Sequence, residues 1–282
     1  MGVTGRLREL LNGSGIVAAP GAYDCITARL VEQAGFSAIY MTGAGTAATL
    51  GYPDYGLVTM SEMVENAGRL AAATRIPVIA DADTGYGNEL NVVRTVREYE
   101  RCGVAGIHIE DQTFPKKCGH LENKTVISLD EYVAKIRAAA AARTDPDFLL
   151  IARTDARAVL GFDEAIRRAN AALEAGAGMV FVEAPQTVEE VAAVPRLVNG
   201  PCLLNLVWRG KTPDLSLEEA EASGYKIAIL PALLFTAVIG ACDRMLDQLR
   251  RTGRHPLPDA DLSPQQAFRR FGAEEWDPLR AK

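Results

Sequence analysis

Gly103-Val104-Ala105-Gly106-Ile107-His108-Ile109-Glu110-Asp111 sets the pattern for this chain: a glycine that ends a helix, a short apolar run, and acids at its far end. Continuous rather than alternating apolarity marks a parallel strand covered on both faces. A glycine just past a helical run supplies the conformation that stops a helix. The unit recurs: Gly35 and Gly176 stand in the same place, and similar runs occur at Ile16–Ala19, Ala38–Thr42, Val78–Asp81, Gly106–Glu110, Phe148–Arg153, Met179–Glu183, Cys202–Leu206 and Lys226–Leu230. Eight is the number that closes a barrel. The reading is an α/β chain folded as a (β/α)8 TIM-type barrel, a single domain over residues 1–282, with a doubly wound open sheet as the alternative.

Between the runs lie helix signals. Leu30, Val31 and Ala34 share one face, Ser61 precedes Met63 and Val64, and Ser128 with Glu131 forms a capping-box pattern. After the eighth run, Phe235–Leu249 is amphipathic; three prolines in Arg254–Pro264 then break the helix before a last one at Gln265–Phe271. Residues 253–282 therefore read as a C-terminal arm and helix, packed either on a neighbouring subunit or back on the barrel.

The chain is 48% apolar with a net charge of −6 and no basic run. That argues against nucleic acid or a membrane surface as partner and for a small ligand. The five cysteines, at 25, 102, 118, 202 and 242, form no C-x-x-C pair, and no apolar run approaches 18 residues, so a reducing cytoplasm is expected.

In a barrel the active site sits at the C-terminal ends of the strands, and acids accumulate there: Asp81, Asp83, Glu110, Asp111, Asp155 and Glu183. Carboxylates that converge repel unless a cation sits among them or arginines such as Arg153 pair with them. A hard divalent ion, Mg²⁺ with Mn²⁺ as a substitute, fits the set. Tyr40 and the small residues Thr42, Gly43 and Ala44 follow the second run; the backbone there suits a carboxylate or phosphate, and Tyr40 alone reads equally well as barrel wall.

Asp111–Val126 is too long for an ordinary connection and reads as a gating loop. It carries Lys116-Lys117-Cys118-Gly119-His120, whose cations are expected to lower the Cys118 thiol pKa and suit it to proton transfer.

Together with Pro20-Gly21-Ala22-Tyr23-Asp24, Asp81-Ala82-Asp83 and Glu110-Asp111-Gln112, this motif resembles the lyase branch of the isocitrate lyase/phosphoenolpyruvate mutase superfamily over nearly the whole chain. The resemblance implies a Mg²⁺-dependent barrel, a homotetramer with exchanged C-terminal helices, that cleaves a 2-hydroxy di- or tricarboxylate to an α-keto acid such as pyruvate plus a second acid. It implies Asp83 as direct metal ligand, with Asp81, Asp54 and Glu110 acting through metal-bound water. Thr42, Gly43, Ala44 and Gly119 would hold the substrate with His108 and Asn205, and Cys118, Tyr40, Arg153, His120, Lys116 and Glu183 would carry catalysis.

One segment departs from the pattern. Relatives that cleave tricarboxylates tend to have Asn-(Ile/Met)-Thr-Glu after the seventh strand, whereas this chain has Asn205-Leu206-Val207-Trp208-Arg209. Trp208 is expected to narrow the pocket and Arg209 to contact a carboxylate, unless both face solvent or an interface; a substituted malate is favoured. Phosphonomutases typically carry asparagine at position 118, and oxaloacetate hydrolases often carry serine at 231, where this chain has proline. Those activities, oxaloacetate decarboxylation and a non-catalytic carboxylate-binding barrel are the alternatives.

Overall fold

Val17 pairs with Ile227 and Pro20 with Leu230, so the first strand closes onto the eighth. The computed structural model describes residues 2–258 and 260–280. Met1, Asp259, Ala281 and Lys282, which the expected 1–282 domain and 253–282 arm include, lie outside the described residues. β1 (Val17–Ala22), β2 (Ile39–Met41), β3 (Val78–Asp81), β4 (Gly106–Glu110), β5 (Leu149–Thr154), β6 (Met179–Val182), β7 (Cys202–Asn205) and β8 (Ile227–Leu230) form a closed barrel in chain order. Each neighbouring pair is parallel. The open-sheet alternative is thereby excluded.

Side chains alternate across a strand, and both faces here are apolar. Ile107, Ile109, Leu150, Ala152, Val180 and Leu204 point outward and pack with helical Val31, Met63, Leu70, Tyr99, Tyr132 and Ile136. Val17, Tyr40, Ile79, Ile151, Met179, Phe181, Leu203 and Ile227 fill the interior, and Leu7 from helix Val3–Asn12 packs with them. Continuing each inward column by two residues toward the strand's C-terminal end reaches Asp81 after Ile79, Glu110 after His108, Arg153 after Ile151, Glu183 after Phe181 and Asn205 after Leu203. The alternation that builds the core thus delivers the polar residues to one mouth.

The helices start where their side chains satisfy exposed N–H groups. Ser128 and Glu131 cap Leu129–Ala142 reciprocally, with Glu131 N–H 3.2 Å from Ser128 Oγ. The helix expected after Ser61 begins earlier, capped by Thr59, because Thr59 and Glu62 form the box there instead. Gly103 ends helix Glu89–Arg101 at φ +89°, a left-handed conformation that a β-carbon disfavours.

The chain divides into two compact units, residues 1–235 and 236–282. Helix Leu233–Thr252 runs from the first into the second, which then holds Pro264–Arg269, Ala273–Trp276 and a 3₁₀ turn at Asp277–Leu279. One final helix was expected; two short ones form because Gly272, at φ +86°, interrupts them. No helix among the described residues is long and apolar enough to cross a membrane.

Candidate active site

The mouth of the barrel encloses a cavity of about 90 Å³. Tyr40, Thr42, Ala44, Asp54, Asp81, Arg153, Glu183 and Asn205 line it, Cys118, Gly119 and His120 enter it from the long loop, and Val207, Pro231, Ala232 and Phe235 form an apolar wall. A larger surface groove of about 330 Å³ between Gly56–Ser61 and Tyr86–Thr95 is lined by one charged side chain, Arg94, and has no convergent acids.

Register sets the polar neighbours. Asp81 lies beside His108 on adjacent strands, and Glu110 beside Arg153. Tyr40 is buried with its hydroxyl 2.8 Å from His108 Nε2 and donating to Asp81 Oδ2 at 3.3 Å. His108 stacks on Tyr40 and is fully buried; it stands behind the tyrosine and does not line the cavity. Burial disfavours the imidazolium more than Asp81 favours it, which lowers His108 to about 4. Burial also raises Asp81, but His108, Lys116, Arg153 and the Asp83 N–H outweigh it and leave Asp81 at about 2. At neutral pH the pair is a carboxylate beside a neutral imidazole.

Four acids form a nest around Lys116. Its ammonium lies 2.6 Å from Asp54 Oδ1 and 2.9 Å from Asp83 Oδ1, and its side chain is 2% exposed. Asp83 sits at φ +46°, a strained conformation for a non-glycine residue, with its N–H on Asp81 Oδ1 at 2.9 Å. Burial, with Asp81 and Asp54 nearby, raises Asp83 to about 6 despite Lys116. Burial raises Glu110 well above the carboxylate range too. Asp83 Oδ1 and both Glu110 oxygens are buried and accept no hydrogen bond; only ion pairs to Lys116 and Arg153 meet their charge. Among the described residues no three His, Cys, Asp or Glu side chains are preassembled as a ligand set. A cation already held by two carboxylates, beside oxygens that lack donors, fits a hard ion that takes few direct protein ligands and keeps its waters.

The loop is pinned at its base. Gln112 and Val126 form an antiparallel bridge, and Thr113 N–H donates to Thr125 C=O at 2.9 Å. Cys118 N–H donates to Asp54 C=O at 3.1 Å, which ties the loop to the acid nest. His120 Nε2 is 3.3 Å from Glu183 Oε1, and its Nδ1 accepts from Lys211 N–H at 3.0 Å; burial pushes its pKa down.

The thiol departs from expectation. Burial, with Asp54 close by, pushes Cys118 up to about 11. The adjacent cations do not lower it, because Lys116 is spent on Asp54 and Asp83 and Lys117 points to Asn123 C=O at 3.5 Å. Two strand-end acids also leave the mouth. Asp111 accepts from Thr154 Oγ1 at 2.6 Å and Arg168 Nη1 at 3.0 Å, while Asp155 pairs with Arg153 Nε at 2.9 Å. Both realise the ion-paired alternative.

Trp208 and Arg209 do not line the cavity, and Trp208 is 73% exposed. Gly210 N–H returns to Val207 C=O at 2.8 Å with Arg209 at φ +58°. That turn presents Val207 inward and carries the next two residues outward. Gly43 N–H is committed to Asp81 Oδ2 at 3.3 Å. Thr42, Ala44 and Gly45 remain on the cavity wall. Sequence reasoning missed Val207, Ala232 and Phe235; the apolar Pro231–Phe235 run directly after β8 is the signal that marks the last two.

A family model described as phosphoenolpyruvate phosphomutase matches residues 7–250. The chain is 50% identical to a 2,3-dimethylmalate lyase of Eubacterium barkeri over 82% of this chain and 80% of that one. It is 46% identical to a 2-methylisocitrate lyase of Aeropyrum pernix, over 88% and 80%. Among solved structures, oxaloacetate acetylhydrolase bound to 3,3-difluorooxalacetate superposes with a TM-score of 0.94 at 40% identity, covering 98% of this chain and 95% of that one. Phosphonopyruvate hydrolase with oxalate and Mg²⁺ gives 0.89 at 34% identity, covering 99% and 98%. With a family match over most of the barrel and relatives this similar, the chain belongs to the isocitrate lyase/PEP mutase superfamily.

Proposed function

We propose that this chain is a Mg²⁺-dependent carbon–carbon lyase that splits an alkyl-substituted malate into an α-keto acid, such as pyruvate, and a second carboxylic acid. The observation that carries this reading is one small cavity bordered by Asp54 and Asp81 of the acid nest, the Arg153–Glu183 pair and the Cys118 thiol, and flanked by an apolar wall. The lyase relatives and the Mg²⁺-oxalate complex of a structural neighbour support it.

Asp83, Asp81, Asp54 and Glu110 would hold the ion; when bound, it supplies Lewis-acid charge to the substrate's carboxylate and 2-oxygen. Mn²⁺ suits the same oxygen donors. Tyr40 enters as a phenol, since burial raises its pKa well above the usual value. Its oxygen takes the substrate's hydroxyl proton as its own is released into the Asp81–His108 pair, whose Oδ2 and Nε2 lie 3.3 and 2.8 Å from it. The C2–C3 bond then breaks, C2 becomes the ketone, and the electron pair stays on C3, delocalised into its carboxylate. Arg153 balances that charge. Cys118, held protonated by burial, delivers its proton to C3. Its high pKa suits an acid in the cleavage direction. His120 and Glu183 orient each other and the loop.

The apolar wall of Val207, Pro231, Ala232 and Phe235 favours an alkyl group over a third carboxylate, for which, among the described residues, the lining offers Arg153 as its one lysine or arginine. The test is a panel of C2- and C3-substituted malates and 2-methylisocitrate with Mg²⁺, with products read by mass spectrometry. Pyruvate plus a saturated acid, and a higher kcat/KM for dimethylmalate than for methylisocitrate, support the reading; preference for the tricarboxylate overturns the substrate assignment. Cys118→Ser should abolish cleavage while Mg²⁺ binding persists. Oxaloacetate hydrolysis is the second reading, favoured by the structural likeness. It is opposed by Pro231, which places no hydroxyl on the cavity wall.

Helix Leu233–Thr252 buries none of its side chains, leaving Val238, Ile239, Leu246 and Leu249 exposed. That supports a homotetramer that exchanges its C-terminal helices, to be checked by light scattering. Five free cysteines suit a reducing, cytoplasmic setting.

A further inference from the structure

We propose that Lys124 is a positioning residue that couples the seating of the 113–125 loop to the placement of Arg153. The inference rests on the lyase reading for its kinetic consequence but not for its structural one. Lys124 lies on the returning limb of the loop, yet its side chain is 1% exposed. A lysine buried this deeply requires a partner. It has two: its ammonium donates to the Gly119 carbonyl at the loop tip and to Asp155 Oδ1 at 2.6 Å.

Asp155 is the junction. It is fully buried just past β5, its N–H fixed by Asp111 Oδ1 at 2.8 Å, and it receives Arg153 Nε on Oδ2 at 2.9 Å and Arg153 Nη2 on Oδ1 at 3.2 Å. Lys124 and Arg153 therefore share one carboxylate oxygen. Arg153 also faces Glu110 at 3.2 Å and Glu183 at 3.9 Å, so three carboxylates surround one guanidinium. Lys124 supplies the second positive charge to that group and takes part of Asp155's demand. Because the same ammonium holds Gly119 C=O, lifting the loop tip removes the contact that pins the tip and the charge that shares Asp155. Nothing else described on the loop reaches both elements at once.

Gly119 seats against Arg153 and Glu183 so closely that a β-carbon would overlap both. Cys118 and His120 flank it and inherit its position. Lys124 thus acts on the reacting groups through Gly119 and Arg153, without lining the cavity itself.

The test uses the full chain with Mg²⁺. Hydrogen exchange of the backbone amides over residues 116–123 is compared, with and without pyruvate, among wild type, Lys124→Met and Lys124→Arg. Lys124→Met should speed exchange there at least about tenfold and leave the β-strand amides unchanged. With the substituted malate that wild type cleaves best, Lys124→Met should lower kcat about 10–100-fold, the usual range for groups that orient others, with KM shifted less than about threefold. Lys124→Arg should recover kcat to within about fivefold, because it keeps the charge and the donors.

Unchanged loop exchange in Lys124→Met overturns the proposal. So does a loss that Lys124→Arg fails to relieve. If wild type cleaves none of the acids, the lyase reading fails, while the exchange comparison still decides whether Lys124 holds the loop. Should Lys124→Met not fold, the same comparison between Lys124→Gln and Lys124→Arg decides between a charge that positions and a side chain that merely fills space.

Discussion

Gly119 lies against Glu183 with no room for a side chain: a β-carbon built on it would overlap the Glu183 carboxylate and stand 2.5 Å from Arg153 Nη2. The loop tip approaches the strand ends this closely only because residue 119 is glycine. Gly119→Ala forces the loop outward or the Arg153–Glu183 pair apart, a strain of about 1–3 kcal/mol. Cleavage should fall about 10–100-fold with the melting temperature nearly unchanged, since the loop yields before the barrel does. Steady-state kinetics beside calorimetry check this; full activity in Gly119→Ala would show that the loop works from elsewhere.

Asp83 tests the acid nest. In wild type, Mg²⁺ should raise the melting temperature as any ligand specific to the folded state does. Asp83→Asn removes the carboxylate that Lys116 now holds at 2.9 Å and should abolish that rise. Without metal, the variant should be modestly less stable than wild type, because buried Lys116 is left with Asp54 as its nearest partner. A Mg²⁺-induced shift surviving in Asp83→Asn would move the ion elsewhere.

Asp111 gives a pH signature away from the cavity. Burial and the neighbouring Asp155 raise its carboxyl from 3.8 to about 6. Its folded pKa exceeds its unfolded one, so the folded state binds more protons between those values, and this group's contribution to stability falls as pH rises from about 4 to about 6. The full swing is about 3 kcal/mol as an upper bound. Asp111→Asn lowers stability overall by losing the Arg168 pair, yet it should flatten the slope in that window. Urea unfolding from pH 4.5 to 7 separates the two effects; an unchanged slope would place the titration on another group.

Trp208 offers a contrasting case. At 73% exposure and outside the cavity lining, Trp208→Ala should change kcat/KM by less than about twofold and stability by less than about 0.5 kcal/mol. Val207→Arg, by placing a cation on the apolar wall, should improve methylisocitrate turnover relative to the dimethylmalate. Equal loss on both acids would argue that the wall does not read the substituent.

The barrel was legible because every strand is a short, continuous apolar run, four of them (β3 to β6) lead into acids, and several follow a glycine. Local patterns also gave the Ser128–Glu131 cap. What escaped is set by direction in space. Trp208 and Val207 are adjacent in sequence, and only the turn closed by Gly210 N–H decides which one faces the cavity. Cys118 misled for a related reason. Three neighbouring cations in the sequence suggest an acidic thiol, but the fold sends Lys116 to the acid nest and leaves the half-buried thiol beside Asp54. Asp111 and Asp155 resemble the other strand-end acids until Arg168, Thr154 and Lys124 are brought beside them.

Lys116 has one more consequence. By lending its own ammonium to Asp54 and Asp83, the chain carries an internal counter-ion that lets these acids pack together with no metal present. The cost is that any divalent ion taken up by this nest must evict a resident charge, which weakens its hold and makes occupancy depend on the ion's concentration outside.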